Sequence, residues 1–319
     1  MSEPIPGIHH ITAIATDPQR NVDFYVRLLG LRLVKRTVNF DDPDTYHLYF
    51  GDESGRPGTL LTFFPWPGAL RGRAGSGEVS ATTFEIPAGS LDFWGERLAA
   101  HGVTVEGPAP RMGERVLAFE DPDGTRLELV ESGAAPAGPR WRAGAVEPRH
   151  AIRGFHSATL AVKASGPSAK LLVETLGFRP DASEGARRRY RAAGAGRGAI
   201  VDLLEMPEAP RCRLGAGSVH HIAWRTRDEA SQVEWRERLV GAGFHPTSVR
   251  DRQYFRSIYF REPAGVLFEI ATDPPGFTVD EPVEGLGATL RLPPWLESMR
   301  GPIERRLPGI QVPEPREVP

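Results

Sequence analysis

Two His-His pairs stand in near-identical settings at opposite ends of the chain. Gly7-Ile8-His9-His10-Ile11-Thr12 lies near the N-terminus, and Ser218-Val219-His220-His221-Ile222-Ala223 lies in the C-terminal half. Seven residues after the second histidine of each pair comes an aspartate, Asp17 and Asp228. A single histidine on a strand is more often a satisfied polar residue than a ligand. A repeated His-His context points instead to duplicated segments that each give one imidazole to a shared site. Two imidazoles joined by a carboxylate from elsewhere suit a divalent metal.

The carboxylate comes from a second repeat. Ala264-Gly265-Val266-Leu267-Phe268-Glu269-Ile270 is a turn glycine followed by an alternating strand, with glutamate four residues after the glycine. Gly124 to Leu129 repeats the plan with Glu128, Gly58 to Phe63 with Thr62 in that place, and Gly198 to Leu203 with Asp202. Each such strand closes a block that opens on a short apolar strand. An amphipathic segment follows, with apolar residues at helical spacing and a glycine after it (21–30, 91–98, 169–177 and 233–239). The blocks read as four βαβββ modules over about 7–67, 78–132, 152–206 and 217–274, an α+β chain. This predicts an N-terminal domain over 1–135, a Pro/Ala/Gly-rich linker over 136–151, a C-terminal domain over 152–280, and a Pro-rich tail over 281–319. In that tail Trp295, Met299 and Ile303 would share one face of a short helix, docked on the core or on a second copy in a homo-oligomer.

This organisation resembles the vicinal oxygen chelate superfamily, which includes glyoxalase I, bleomycin resistance proteins and extradiol dioxygenases. The resemblance covers residues 5–275. It is strongest to the ring-cleaving dioxygenases of hydroquinones, in Asp251-Arg252-Gln253-Tyr254-Phe255-Arg256-Ser257-Ile258-Tyr259-Phe260-Arg261, Gly265 to Asp273, Tyr46 to Asp52, and Leu61 to Trp66. In such folds a metal sits in a cup made by two modules, and its ligands lie on their first and last strands. Filling that template pairs the first module with the fourth and assembles His10, His221 and Glu269, with the non-ligand Thr62. Pairing the second with the third assembles Ala81, Ser157, Glu128 and Asp202, which contain no imidazole.

Three protein ligands leave coordination positions open, the pattern of non-haem Fe(II) oxygenases. The resemblance thus implies Fe(II), with Mn(II) as an alternative and Zn(II) as an adventitious occupant, acting on a small aromatic substrate and O₂. It also places His9, His220, Thr12, Arg252 and Tyr259 beside metal or substrate. Strand alternation turns His9 and His220 away from the metal side unless a bulge intervenes, and the odd spacing of Arg252 and Tyr259 requires a turn near Gln253. His47 and Trp66 fit either a pocket wall or core packing. Two other functions use the same fold: a glyoxalase-type isomerase or thiol transferase, and a non-enzymatic ligand-sequestering protein. The former would want a fourth ligand where Thr62 stands, and the latter needs no metal triad.

The remaining features are bland. Net charge is −2, and Arg187-Arg188-Arg189 reads as a solvated loop, so nothing suggests nucleic acid. Glu128 and Glu131 read as two carboxylates of one surface strand, and His156 aligns with His9 and is not taken as a ligand. Gly194-Ala195-Gly196-Arg197-Gly198 precedes a strand and reads as a hairpin loop. The lone Cys212 excludes an internal disulfide, and no signal or membrane span is visible, so a cytoplasmic protein is expected. Only three of the 39 basic Lys and Arg residues are lysine, a bias that fits a GC-rich bacterial genome.

Overall fold

A computed structural model describes residues 3–133, 141, 143–194 and 198–313. Parts of the expected linker (134–140, 142), hairpin loop (195–197) and tail (314–319) lie outside the described residues.

All four blocks adopt the expected βαβββ order. The first contains β1 (Ile8–Ala15), α1 (Pro18–Val22), β2 (Arg32–Asn39), β3 (Asp42–Gly51) and β4 (Leu60–Pro65). The second contains β5 (Glu78–Pro87), α2 (Leu91–Ala100), β6 (Val105–Arg111), β7 (Glu114–Glu120) and β8 (Arg126–Ser132). The third contains β9 (Gly154–Val162), α3 (Ser165–Lys170), β10 (Arg179–Glu184), β11 (Arg187–Arg191) and β12 (Ile200–Glu205). The fourth contains β13 (Val219–Thr226), α4 (Glu229–Gly241), β14 (Arg250–Asp251), β15 (Arg256–Arg261) and β16 (Leu267–Thr272).

The repeated aspartates that follow the His-His pairs start helices. Asp17 Oδ1 accepts the Arg20 amide at 2.8 Å, and Asp228 Oδ1 accepts the Ser231 amide at 2.8 Å. Each is an N-cap that satisfies an otherwise orphaned donor. In the first and third modules the helix widens into a π turn, over Asp23–Leu28 and Leu171–Thr175. The chain then leaves the first of these through Gly30 at φ +73°, where a Cβ would sit 2.9 Å from the Val146 side chain.

Within a module the first and last strands run parallel, β1 beside β4 and β13 beside β16. Between modules the first strands pair antiparallel, β1 with β13 and β5 with β9. The result is two eight-stranded sheets, β14-β15-β16-β13-β1-β4-β3-β2 and β10-β11-β12-β9-β5-β8-β7-β6. The first sheet joins modules one and four, the second modules two and three. Each sheet therefore draws on both halves of the chain, so the expected boundary near 135–151 divides sequence halves and does not divide the sheets.

The described part of the linker is packed. Val146 is buried in the core, and the His150 ring stacks on Phe93 at 4.2 Å while its carbonyl accepts Trp94 Nε1 at 2.9 Å. The tail is a strap over the first module. Phe277 stacks on Tyr254, Lys35 bonds Asp280 at 2.6 Å and also Glu281, and Leu292, Leu296, Ile303 and Leu307 are buried. The helix α5 (Arg300–Arg306) begins after Trp295 and Met299. Those two are therefore out of its register and about half exposed, and only Ile303 of the expected triplet is buried. Trp295 meets Phe40 edge to face at 5.6 Å.

Candidate metal centre

Pairing β1 with β13 fixes the site. His10 lies opposite Ala223 and Thr12 opposite His221, so the two histidines emerge on one face, one step apart across the seam. On the parallel neighbour Ala223 pairs with Glu269, which carries the carboxylate to the same face. His10 Nε2 and His221 Nε2 are 3.2 Å apart, and Glu269 Oε2 lies 3.4 Å from the first and 3.0 Å from the second. All three residues are buried, and candidate ligand atoms of the three lie within 4.8 Å of one another.

The remaining atoms of these side chains are engaged. His10 Nδ1 meets His9 Nδ1 at 2.9 Å, and His221 Nδ1 meets His220 Nδ1 at 2.8 Å. With each Nδ1 on the neighbouring histidine, each Nε2 faces Glu269 Oε2. A ligating imidazole normally has its outer N–H held this way, which fixes tautomer and ring orientation. The bulges expected to turn His9 inward occur as register shifts in β1 between Ile8 and His10 and between Thr12 and Ala13. Ser257 donates to Glu269 Oε1, while Glu269 Oε2 is a buried oxygen without a hydrogen-bond donor among the described residues. Such an orphan is costly unless a cation completes it. The donor set, two imidazoles and one carboxylate, fits a divalent metal with open positions.

Electrostatics agree with that fit. Burial pushes the Glu269 carboxyl up, but the two imidazoles beside it prevail and hold it well below the usual range. Burial lowers His221, with Glu269 only partly opposing. The cluster thus sets an ionised Glu269 carboxylate beside a His221 imidazole that burial keeps neutral, a state that suits a metal.

Arg252 and Tyr259 are brought together as the turn required. Gln253 takes φ +63° between β14 and β15, and Arg252 Nε donates to the Tyr259 hydroxyl at 3.1 Å. Tyr259 pairs with Glu269 across β15 and β16, and its ring meets His221. Burial and the Glu269 charge push its hydroxyl up, so it carries its proton. Burial works against the Arg252 charge, but Tyr259 and Asp41 more than offset it. Thr12 Oγ1 bonds Thr62 Oγ1 at 2.7 Å, Thr62 bonds His47 Nε2 at 2.9 Å, and His47 Nδ1 bonds the Tyr49 hydroxyl at 2.8 Å. Thr62 is therefore committed to hydrogen bonds, and His47 belongs to this chain. Trp66 instead gives its Nε1–H to Asp42 at 2.9 Å.

Sequence reasoning missed several residues. Phe255 packs on His9 and His10 at 5.1 and 5.0 Å, and Tyr49 and Asp41 complete the polar partners. Ser257 had a readable signal, since it lies two residues before Tyr259 on one strand face.

The second cup is plugged. Arg111 holds Glu128 with two bonds of 2.8 and 2.6 Å, and Arg189 Nε and Arg187 reach Asp202 at 2.8 and 3.1 Å. The arginine run is thus no solvated loop. It forms β11, whose alternation sends Arg187 and Arg189 inward. Glu128 is likewise buried, so β8 is no surface strand. His156 is paired with Glu114 at 2.9 Å.

The sequence signature of the Glyoxalase/Bleomycin resistance protein/Dioxygenase superfamily matches residues 7–129 and 154–270. The chain belongs to this superfamily. It is 48% identical over 314 residues to a Bacillus subtilis (strain 168) protein named "Putative ring-cleaving dioxygenase MhqO", covering 98% of this chain and 99% of the relative. It is 36% identical to a chlorohydroquinone/hydroquinone 1,2-dioxygenase of Sphingobium indicum, covering 96% and 97%. A crystal structure of a B. subtilis protein titled as a putative dioxygenase superposes with a TM-score of 0.92 at 47% identity, covering 98% of this chain and all of the other.

Proposed function

We propose that this chain is a metal-dependent ring-cleaving dioxygenase that acts on hydroquinone or a related dihydroxybenzene, with His10, His221 and Glu269 as metal ligands and Fe(II) as the working ion. The enzyme class follows from full-length likeness to relatives named for ring cleavage at 36–48% identity. The observation that carries the chemistry is the convergence of two Nε2 atoms on an orphaned Glu269 oxygen. When bound, Fe(II) would hold a substrate oxygen and O₂ side by side and let electron density pass from ring to oxygen. Arg252, charged and only 16% exposed, can face the negative charge of a phenolate. Tyr259 holds a proton at its Oη that Arg252 Nε orients. His220 is pushed down to about 3 by burial, His221 and Arg261, so it stays neutral, a weak base whose Nδ1 meets His221 Nδ1 at 2.8 Å. The hydrogen bonds of Thr62 weigh against a fourth ligand of the glyoxalase kind.

The test is oxygen consumption by anaerobically iron-loaded protein given hydroquinone or catechol, with ¹⁸O₂ and mass spectrometry of the product. Two labelled atoms in a ring-opened acid are expected. No oxygen uptake with any dihydroxybenzene, or full turnover with zinc alone, would overturn the reading.

A further inference from the structure

Asp41 lies at the tip of the hairpin between β2 and β3, while Arg252 follows β14. In strand order β2 and β14 are the two end strands of the first sheet, as far apart as its topology allows. The sheet curls until these edges meet: Arg252 Nη2 donates to Asp41 Oδ2 at 2.8 Å, and Arg250 lies 3.7 Å from Oδ1. Through Arg252 and the Tyr259 ring, which meets His221, the contact is linked to the His10–His221–Glu269 cluster. The same guanidinium uses its Nε on Tyr259, so one planar group is held at both ends. The hairpin tip is itself anchored on both sides of Asp41. Phe40 packs on Trp295 of the tail, and Asp42 accepts from Trp66 and from Thr45 at 2.9 Å each.

We propose that Asp41 is a positioning residue for the ring-cleavage reaction: from the opposite rim of the cup it holds the Arg252 guanidinium so that Nε stays on the Tyr259 hydroxyl. This rests on the function proposed above. Asp41 is 57% exposed, and an ion pair so placed adds little to stability. Its effect is on aim, where an error of about 1 Å can cost about a hundredfold in rate.

The experiment compares full-length wild type with Asp41→Asn, Asp41→Glu, Arg252→Ala and the Asp41→Asn/Arg252→Ala double variant. Iron-loaded Asp41→Asn should lose about tenfold in kcat/KM for hydroquinone, mostly in kcat, with Tm changed by no more than about 2 °C. Asp41→Glu should recover part of the loss. Asp41→Asn should cost nothing further once Arg252 is alanine, because the carboxylate acts through that side chain. A second readout needs no turnover. In zinc-loaded protein the Arg252 ¹⁵Nε–H signal, assigned by its absence in Arg252→Ala, should show restricted motion in wild type and release in Asp41→Asn. An unchanged signal overturns the proposal whether or not the protein turns over. Wild-type rates in Asp41→Asn, or losses that add in the double variant, also overturn it. A wild type that consumes no oxygen sinks the functional reading instead, and the ¹⁵N result then still decides whether Asp41 holds Arg252.

Discussion

The convergence of two imidazole Nε2 atoms on one carboxylate oxygen is what separates His10, His221 and Glu269 from an ordinary buried polar cluster. The neighbouring histidines occupy both Nδ1 atoms, so both Nε2 atoms turn to the orphaned carboxylate oxygen. Variants should sort by what they touch. Glu269→Ala and His221→Ala should each lose most bound iron, because two remaining ligands hold the ion poorly. Ser257→Ala, which removes the donor to Glu269 Oε1, should weaken metal binding by about 10–100-fold without abolishing it. Tyr259→Phe should keep iron and slow kcat by about 10²–10⁴-fold if its hydroxyl transfers a proton. Metal content measured beside kcat for each variant checks the order, and iron loss in Tyr259→Phe as complete as in Glu269→Ala would make the tyrosine a ligand. The candidate ligands were legible because duplication wrote the His-His context twice, giving His10 and His221, and because Glu269 fills the repeated strand position. Phe255 and Asp41 were not, since each meets the site from a turn whose direction no periodicity encodes.

At the scale of elements, alternation explains both successes and errors. It marked the strands of all four modules, but a charge run was read as solvated when Arg189 is buried, Arg187 is largely covered, and both reach Asp202. The tail was readable as proline-rich with a short docked helix, but its anchor on Lys35 was not, because that residue lies far away in the chain. Lys35 on β2 is fully buried, and its ammonium is satisfied by Asp280 and Glu281 of the strap and lies 4.9 Å from the Tyr254 ring. Removing one partner of such a pair strands the other charge, at a cost of about 3–5 kcal/mol. Lys35→Ala should therefore lower the urea midpoint strongly, and Lys35→Met, which keeps most of the volume, should lower it less. Equal midpoints for Lys35→Ala and wild type would mean that the strap does not depend on this contact.

At the scale of the whole molecule, one duplicated plan yields two cups with opposite contents. The first holds imidazoles around an orphaned carboxylate, and the second holds three arginines clamping Glu128, Asp202 and Glu114. Guanidinium groups already satisfy those carboxylates, so metal titration should saturate at one ion per chain, and a second tight site would contradict this account. The module pairing behind it was legible from which strands carry histidine. The grouping of sheets across the chain halves was not, because β1 meets β13 only in three dimensions. The first cup also sets how stability responds to acid. His9, His47, His220 and His221 all lie below their usual value, chiefly through burial, with His220 pushed down to about 3. Below the ordinary histidine value of about 6.5, the unfolded chain takes up protons that the folded chain refuses. Stability is then complete above that pH and falls as pH drops, by up to about 1.4 kcal/mol per pH unit for each group. Glu269, held low, adds a loss of the same sign below about 4.5. Asp121 opposes them, since burial pushes its carboxyl up to about 6 and it gains a proton in the folded state first. Four histidines outweigh one carboxyl, so the urea midpoint of metal-free protein should drop steeply from pH 6.5 to 5. A flat or rising midpoint over that window would show that the histidines are not held neutral by the fold.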